Sequence, residues 1–171
     1  MNIFIIHQSH NDSYKNHQMV KELFPGDGKV LFQKLGNKIT VLTDIPLAPE
    51  FKDNFEIENR GNVKQPADCI PFSIRLNPVK ANKRKRYPVR EKEIEEWVNN
   101  KLSNLGFEIL YKTISKEGID VTNRKHSKCY HVSVLVSGFL KVTDWNKMNE
   151  VVCTGIGHGK CFGFGMLNIF C

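Results

Sequence analysis

Five glycines fall within eleven residues, at 155, 157, 159, 163 and 165. No regular helix or strand runs through such a stretch, because glycine loses more backbone freedom on ordering than any other residue. What the stretch offers is backbone without Cβ atoms, able to take positive φ and to bring amides within reach of an anion. Gly155-Ile156-Gly157-His158-Gly159-Lys160-Cys161-Phe162-Gly163-Phe164-Gly165 therefore reads as an anion-binding loop to which Lys160 adds a point charge. The plainer alternative is a tight packing loop with an incidental lysine. Two nucleotide-binding motifs are excluded. A Walker A loop needs four residues between its glycines and a hydroxyl after the lysine, whereas Gly155 is one residue too close to Gly159 and Cys161 follows Lys160. A dinucleotide fingerprint needs glycine where Phe162 stands.

The remaining chain alternates strand and helix signals. Residues 2–8 read as a strand. Asp12 and Ser13 can cap a helix over 13–24, in which Met19, Val20, Leu23 and Phe24 recur at helical spacing before Pro25-Gly26. Residues 29–35 and 38–43 flank Gly36-Asn37 as a hairpin. From 44 to 68 the pattern dissolves, and any second helix there is short or absent. Residues 71–76 alternate as a strand. Residues 91–105 make a helix with Ile94, Trp97, Val98, Leu102 and Leu105 on one face and Gly106 at its end. Strands follow at 107–114 and 130–142 around a polar loop, and then a helix capped by Thr143 or Asp144. The loop and a strand over 165–170 come last.

At 40% hydrophobic, 171 residues can bury one core or two small ones packed together. Each half approximates a β-α-β-β-α-β order. The expected class is α+β, two tandem ferredoxin-like units, the first with a shortened second helix: residues 1–77, a connecting segment 78–90, and residues 91–171.

Twenty-five Lys and Arg against 18 Asp and Glu leave a net charge of +7, which favours a polyanionic partner. The charge is concentrated. Lys80, Lys83, Arg84, Lys85, Arg86, Arg90 and Lys92 crowd a stretch with one acid, Glu91. Between the two halves, such a segment can straddle a nucleic-acid hairpin with its cations on phosphates and Tyr87 stacking or packing. The five cysteines form no Cys-x-x-Cys pair, and His126, Cys129 and His131 lack a fourth ligand at suitable spacing, so no metal site is expected. No apolar run is long enough for a membrane span and no secretory signal is recognised, so a cytoplasmic protein is expected.

The run Gly-Ile-Gly-His-Gly-Lys-Cys-Phe-Gly-Phe-Gly-Met-Leu from Gly155 resembles the signature of the repeat-associated RNA-binding proteins of prokaryotic CRISPR systems, most closely the CasE-type endoribonucleases of type I-E. Two further stretches carry the resemblance: Arg75-Leu76-Asn77-Pro78-Val79-Lys80 through Lys85-Arg86-Tyr87-Pro88-Val89-Arg90-Glu91, and Tyr14-Lys15-Asn16-His17 before Leu23-Phe24-Pro25. Between 44 and 68 this chain looks shortened relative to the family. The resemblance implies a protein that holds the stem-loop of a CRISPR repeat RNA, cuts at the 3′ base of the stem, and keeps the product, around which a surveillance complex with other subunits assembles. It also implies a catalytic histidine on the first helix with a tyrosine one turn before it, matching His17 and Tyr14.

The residues fit that chemistry. On a helix Tyr14, His17 and Lys21 line one flank of the apolar face. Cleavage of RNA requires the 2′-hydroxyl to lose a proton and attack the adjacent phosphorus, while the 5′-oxygen leaves and gains one. Neither metal nor cofactor is obligatory. His17 can be the base or the acid, since an imidazole pKa of about 6.5 lies near the working pH. Tyr14 positions groups or shares the proton relay, and Lys160 with loop amides stabilises the developing phosphoryl charge. His10 and His158 are rival bases. The expected RNA contacts are Lys21, Lys80, Lys83, Arg84, Lys85, Arg86, Arg90, Gly155, Gly157, His158, Gly159, Gly163 and Gly165. The competing reading is a non-catalytic RNA-binding subunit of the same kind of complex.

Overall fold

Phe4 and Ile6, alternate residues of the strand β1 (Asn2–Ile6), point into a core that the first helix closes. That helix, α1 (Ser13–Leu23), starts where sequence places it. The Asp12 carboxylate accepts the Tyr14 amide at 2.8 Å, pairing one of the four donors that a helix start leaves open. Met19, Val20 and Leu23 are buried against Phe4, Phe24 and Ile39. Strands β2 (Val30–Leu35) and β3 (Lys38–Thr43) pair as the expected hairpin, with Gly36 at φ 62 in the turn. The computed structural model describes residues 2–49, 57–62, 69–82, 85–124 and 127–169.

Two four-stranded antiparallel sheets form, one in the order β2-β3-β1-β4 with β4 over Ile57–Asn62, the other in the order β10-β5-β9-β8 with β5 over Ile70–Leu76, β8 over Phe107–Arg124, β9 over Ser127–Val142 and β10 over Leu167–Ile169. In each, the unit's first strand lies between its third and fourth, with the second at the far edge, which is the ferredoxin-like arrangement. The second unit carries both helices, α2 (Ile94–Leu102) and α3 (Trp145–Thr154), and ends in β10 (Leu167–Ile169). The slot for the first unit's second helix falls largely on residues 50–56, outside the described ones.

Several sequence expectations change. Residues 44–68 are not wholly irregular, because β4 (Ile57–Asn62) pairs antiparallel with β1. Its Ile-Glu-Asn-Arg-Gly-Asn sequence has no apolar alternation, and backbone bonds to β1 hold an edge strand without one. Strand β5 (Ile70–Leu76), expected to close the first unit, instead opens the second sheet between β9 and β10. The basic segment is consequently an excursion within the second unit, folded as its own two-stranded sheet of β6 (Val79–Asn82) and β7 (Lys85–Pro88). Of the polar loop expected over 115–128, the described residues 115–124 and 127–128 are strand as well. β8 (Phe107–Arg124) and β9 (Ser127–Val142) pair far beyond the sheet, as a ribbon whose inner face lies on α1.

The α2 helix ends three residues before the expected boundary, with Asn104 at φ 59. Gly106 does not cap it. Its carbonyl accepts the amides of Thr143 and Asp144, and an added Cβ would stand 2.6 Å from the Asp144 carbonyl oxygen. Asp144 caps α3 as expected, accepting from the Asn146 and Lys147 amides.

The two units share packing. Leu31 and Leu42 point away from α1 and join the second unit's core beside Val152, Ile156 and Leu167. Burying one such leucine contributes roughly 2 kcal/mol. At the meeting edges of the sheets, the buried Asn168 side chain donates to Gln33 Oε1 at 2.7 Å.

Candidate active site and nucleic-acid interface

The first helix meets the glycine loop. His17, half-buried on α1, lies edge-on to the Phe162 ring with centroids 6.3 Å apart. Phe162 ends a single 3-10 turn, Lys160–Phe162, bracketed by Gly159 at φ 82 and Gly163 at φ 85. Tyr14 is half-buried one turn before His17, Lys21 is exposed in the last turn of α1, and Lys160 is partly exposed on the facing turn. Residues 14–17 and 157–163 thus form one place. The loop before α1 is clamped: the His10 amide donates to Asn16 Oδ1 at 2.7 Å, and its carbonyl accepts Asn16 Nδ2 at 2.9 Å and Lys34 Nζ at 2.8 Å.

All five loop glycines have positive φ, yet they divide by what surrounds them. A Cβ on Gly165 would come 2.2 Å from the Ile156 carbonyl oxygen, one on Gly155 2.9 Å from that of Gly165, and one on Gly163 2.9 Å from the Phe32 ring. Packing alone accounts for glycine at these three. Their amides are also occupied: Gly155 donates to Val151, Gly163 to Lys160 and Gly165 to Arg75. Among the described residues, the amides of Gly157, His158, Gly159 and Lys160 have no backbone acceptor and can turn to an anion.

Sequence reasoning weighed His131 only as a metal ligand. This β9 histidine packs at a tilt against Phe162 and Phe164, with centroids 5.0 and 5.8 Å away. Asn77 Nδ2 donates to its Nδ1 at 3.2 Å, and its Nε2 lies 3.3 Å from the Thr122 hydroxyl. His131 thus buttresses the aromatic turn against which His17 rests. His126 lies outside the described residues.

A shared positive field surrounds the loop. The His158 imidazole is held below its ordinary pKa of 6.5, first by partial burial and then by the charges of Arg86, Lys101 and Lys160. Arg86 lies on the basic hairpin and Lys101 on α2, so hairpin, helix and loop present cations to the same region. Lys101 was not among the expected contacts. Of the expected ones, Lys85 and Arg90 are exposed, Lys80 is exposed but paired with Glu93 at 3.3 Å, and Lys83 and Arg84 lie outside the described residues.

A family model described as "CRISPR associated protein" matches residues 5–170. The chain belongs to that family. None of the curated proteins matches it. Its fold is similar to that of a CRISPR endoribonuclease Cse3 bound to a 19-nucleotide RNA, with a TM-score of 0.84 at 19% identity over the whole of both chains. Cse3 of Thermus thermophilus bound to an RNA representing a pre-cleavage complex gives 0.79 at 18% identity, covering 99% of this chain and 98% of that one. Cas6e of Escherichia coli K-12 gives 0.69 at 21% identity with the same coverage. The CRISPR-associated chain thus shares the overall fold of these structures. No helix among its described residues is long and apolar enough to cross a membrane.

Proposed function

We propose that this chain is a metal-independent endoribonuclease. It binds the stem-loop of CRISPR repeats in precursor transcripts, cuts at the 3′ base of the stem, and retains the guide RNA within a type I-E surveillance complex in the prokaryotic cytoplasm. The observation that carries this reading is the meeting of His17 with the turn that holds Lys160, inside a positive field shared by the glycine loop and the basic hairpin. The fold family and its Cse3 and Cas6e neighbours supply the context.

The nucleophile is the RNA's own 2′-hydroxyl, so the protein has to orient, shuttle protons and stabilise charge. As the 2′-oxygen attacks phosphorus, its proton passes to a base. The P–O5′ bond breaks and the leaving oxygen takes a proton from an acid. His17 fills one of these roles and Tyr14 positions the groups or relays the other proton. Charge gathering on the phosphoryl oxygens faces Lys160 and the open amides of Gly157 to Lys160, an arrangement worth about 2.7–4 kcal/mol per well-placed donor in comparable sites. The products carry a 2′,3′-cyclic phosphate and a 5′-hydroxyl.

The test is incubation with repeat RNA in excess EDTA. Cleavage should persist and leave a cyclic phosphate, and His17→Ala should slow it by about two to four orders of magnitude while hairpin binding survives. A strict magnesium requirement, or a His17→Ala variant at full speed, would overturn the mechanism.

A further inference from the structure

The proposed chemistry needs a helix from the start of the described chain held against a loop near its end, and one side-chain cluster links the two. Arg75 is central to it. On β5, its carbonyl accepts the Gly165 amide at 2.7 Å, and its guanidinium lies 5.0 Å over the Phe164 ring, so the residue grips the glycine loop by backbone and side chain. The same guanidinium donates from Nε to Glu117 Oε2 at 2.6 Å and from Nη1 to Asp120 Oδ2 at 3.5 Å. Both acids belong to the ribbon extension of β8, and the Ser133 hydroxyl of β9 also donates to Glu117, at 2.6 Å.

The last link reaches α1. Asp120 Oδ2 accepts the hydroxyl of Ser13, the buried first residue of α1 and one turn from His17. The Arg75 and Asp120 side chains are each only 11% exposed, which shields their interaction from solvent and salt. One uninterrupted path therefore runs from the glycine loop through Arg75 and Asp120 to the helix that carries His17.

We propose that Arg75 and Asp120 are positioning residues that set the spacing between His17 and the Lys160 turn. This rests on the active-site reading above. In this role neither residue acts through a contact with RNA. Their effect is on the geometry in which the 2′-oxygen, phosphorus and proton carriers align, and a misplacement of about 1 Å in such an alignment can cost about a hundredfold in rate. The fork geometry explains why arginine stands at 75, since a lysine cannot bond two carboxylates while lying flat on a ring.

The experiment compares Ser13→Ala, Asp120→Asn, Asp120→Ala, Arg75→Lys and His17→Ala. Single-turnover cleavage is measured at saturating RNA, and affinity with a repeat RNA whose 2′-hydroxyl at the cut site is replaced by hydrogen. Ser13→Ala and Asp120→Ala should each slow cleavage roughly ten- to a hundredfold while Kd stays within about threefold, and the double variant should be no slower than Asp120→Ala alone. Ser13→Ala removes a single oxygen and Asp120→Asn keeps the side-chain shape, so a folded protein is available for the comparison. Full-rate cleavage by Ser13→Ala and Asp120→Ala beside an inactive His17→Ala overturns the positioning role and spares the active site. Full-rate cleavage by His17→Ala overturns the active-site reading and this inference with it. Additive losses in the double variant, or affinity falling in step with rate, overturn the shared path.

Discussion

Gly165→Ala isolates what shapes the glycine loop. At φ 80 an alanine is strained by about 1–2 kcal/mol. Its Cβ would also stand 2.2 Å from the Ile156 carbonyl oxygen, a backbone atom without rotamers to escape into. Relief requires moving Ile156 away from Gly165, which breaks the 2.7 Å bond from the Ile156 amide to the Gly165 carbonyl, at about 1–3 kcal/mol for a buried group left unpaired. Together these effects destabilise by about 4 kcal/mol, or roughly 8–16 °C in Tm for a chain of this length. Gly36→Ala is the control. Gly36 sits at φ 62 with no atom within 4 Å of an added Cβ, so only the conformational strain applies and the drop is about 2–8 °C. Thermal unfolding followed by circular dichroism measures both, and denaturant midpoints check them at constant temperature. A Gly165→Ala variant melting within a few degrees of Gly36→Ala would refute the claim that close backbone packing dictates glycine at 165.

Two further outcomes are expected. The neutral form of His158 is favoured in the folded protein, so its contribution to stability is present above the unfolded pKa and lost as pH falls through the lowered folded value. Bound phosphates would offset Arg86, Lys101 and Lys160, raising that pKa and strengthening RNA binding as pH falls. An NMR titration of the His158 ring with and without RNA checks this, and a midpoint unmoved by RNA contradicts it. Arg86→Gln should lower the slope of log affinity against log salt by about one, whereas Lys80→Gln should lower it less, because Glu93 already answers the Lys80 charge, and Glu93→Gln should tighten binding. Equal slopes for the two lysine and arginine variants would argue against a distinction between them.

The parts legible in sequence are those whose signal is local. Asp12 and Asp144 announced α1 and α3 because a capping carboxylate bonds amides two or three residues away. The turn at Gly36 was visible for the same reason. Strand β5 was found, but alternation at Ile70, Phe72, Ile74 and Leu76 says only that one face is buried and leaves open which sheet it joins. The stretch over 115–128 read as a loop because the ribbon's inner face there is polar, with Asp120 and Thr122 satisfied by partners on α1, β5 and the facing strand. In the candidate site, Tyr14, His17 and Lys160 carried recognisable residue types and spacing. His131 did not, since Asn77 and Thr122, which define it, lie 54 and 9 residues away. Lys101 looked like an ordinary surface residue of an amphipathic helix, and nothing local connects it to a loop beyond residue 155.

The junction of residues 14–17 with 157–163 also bears on the order in which the protein is made. Synthesis delivers α1 early and the glycine loop late, so the helix exists without its counterpart for most of translation. On the proposed function, the basic hairpin is made before the glycine loop, and the meeting of His17 with the Lys160 turn waits until Asn168 reaches Gln33 and Gly165 docks on Arg75. Docking the loop and assembling the proposed site are then a single event.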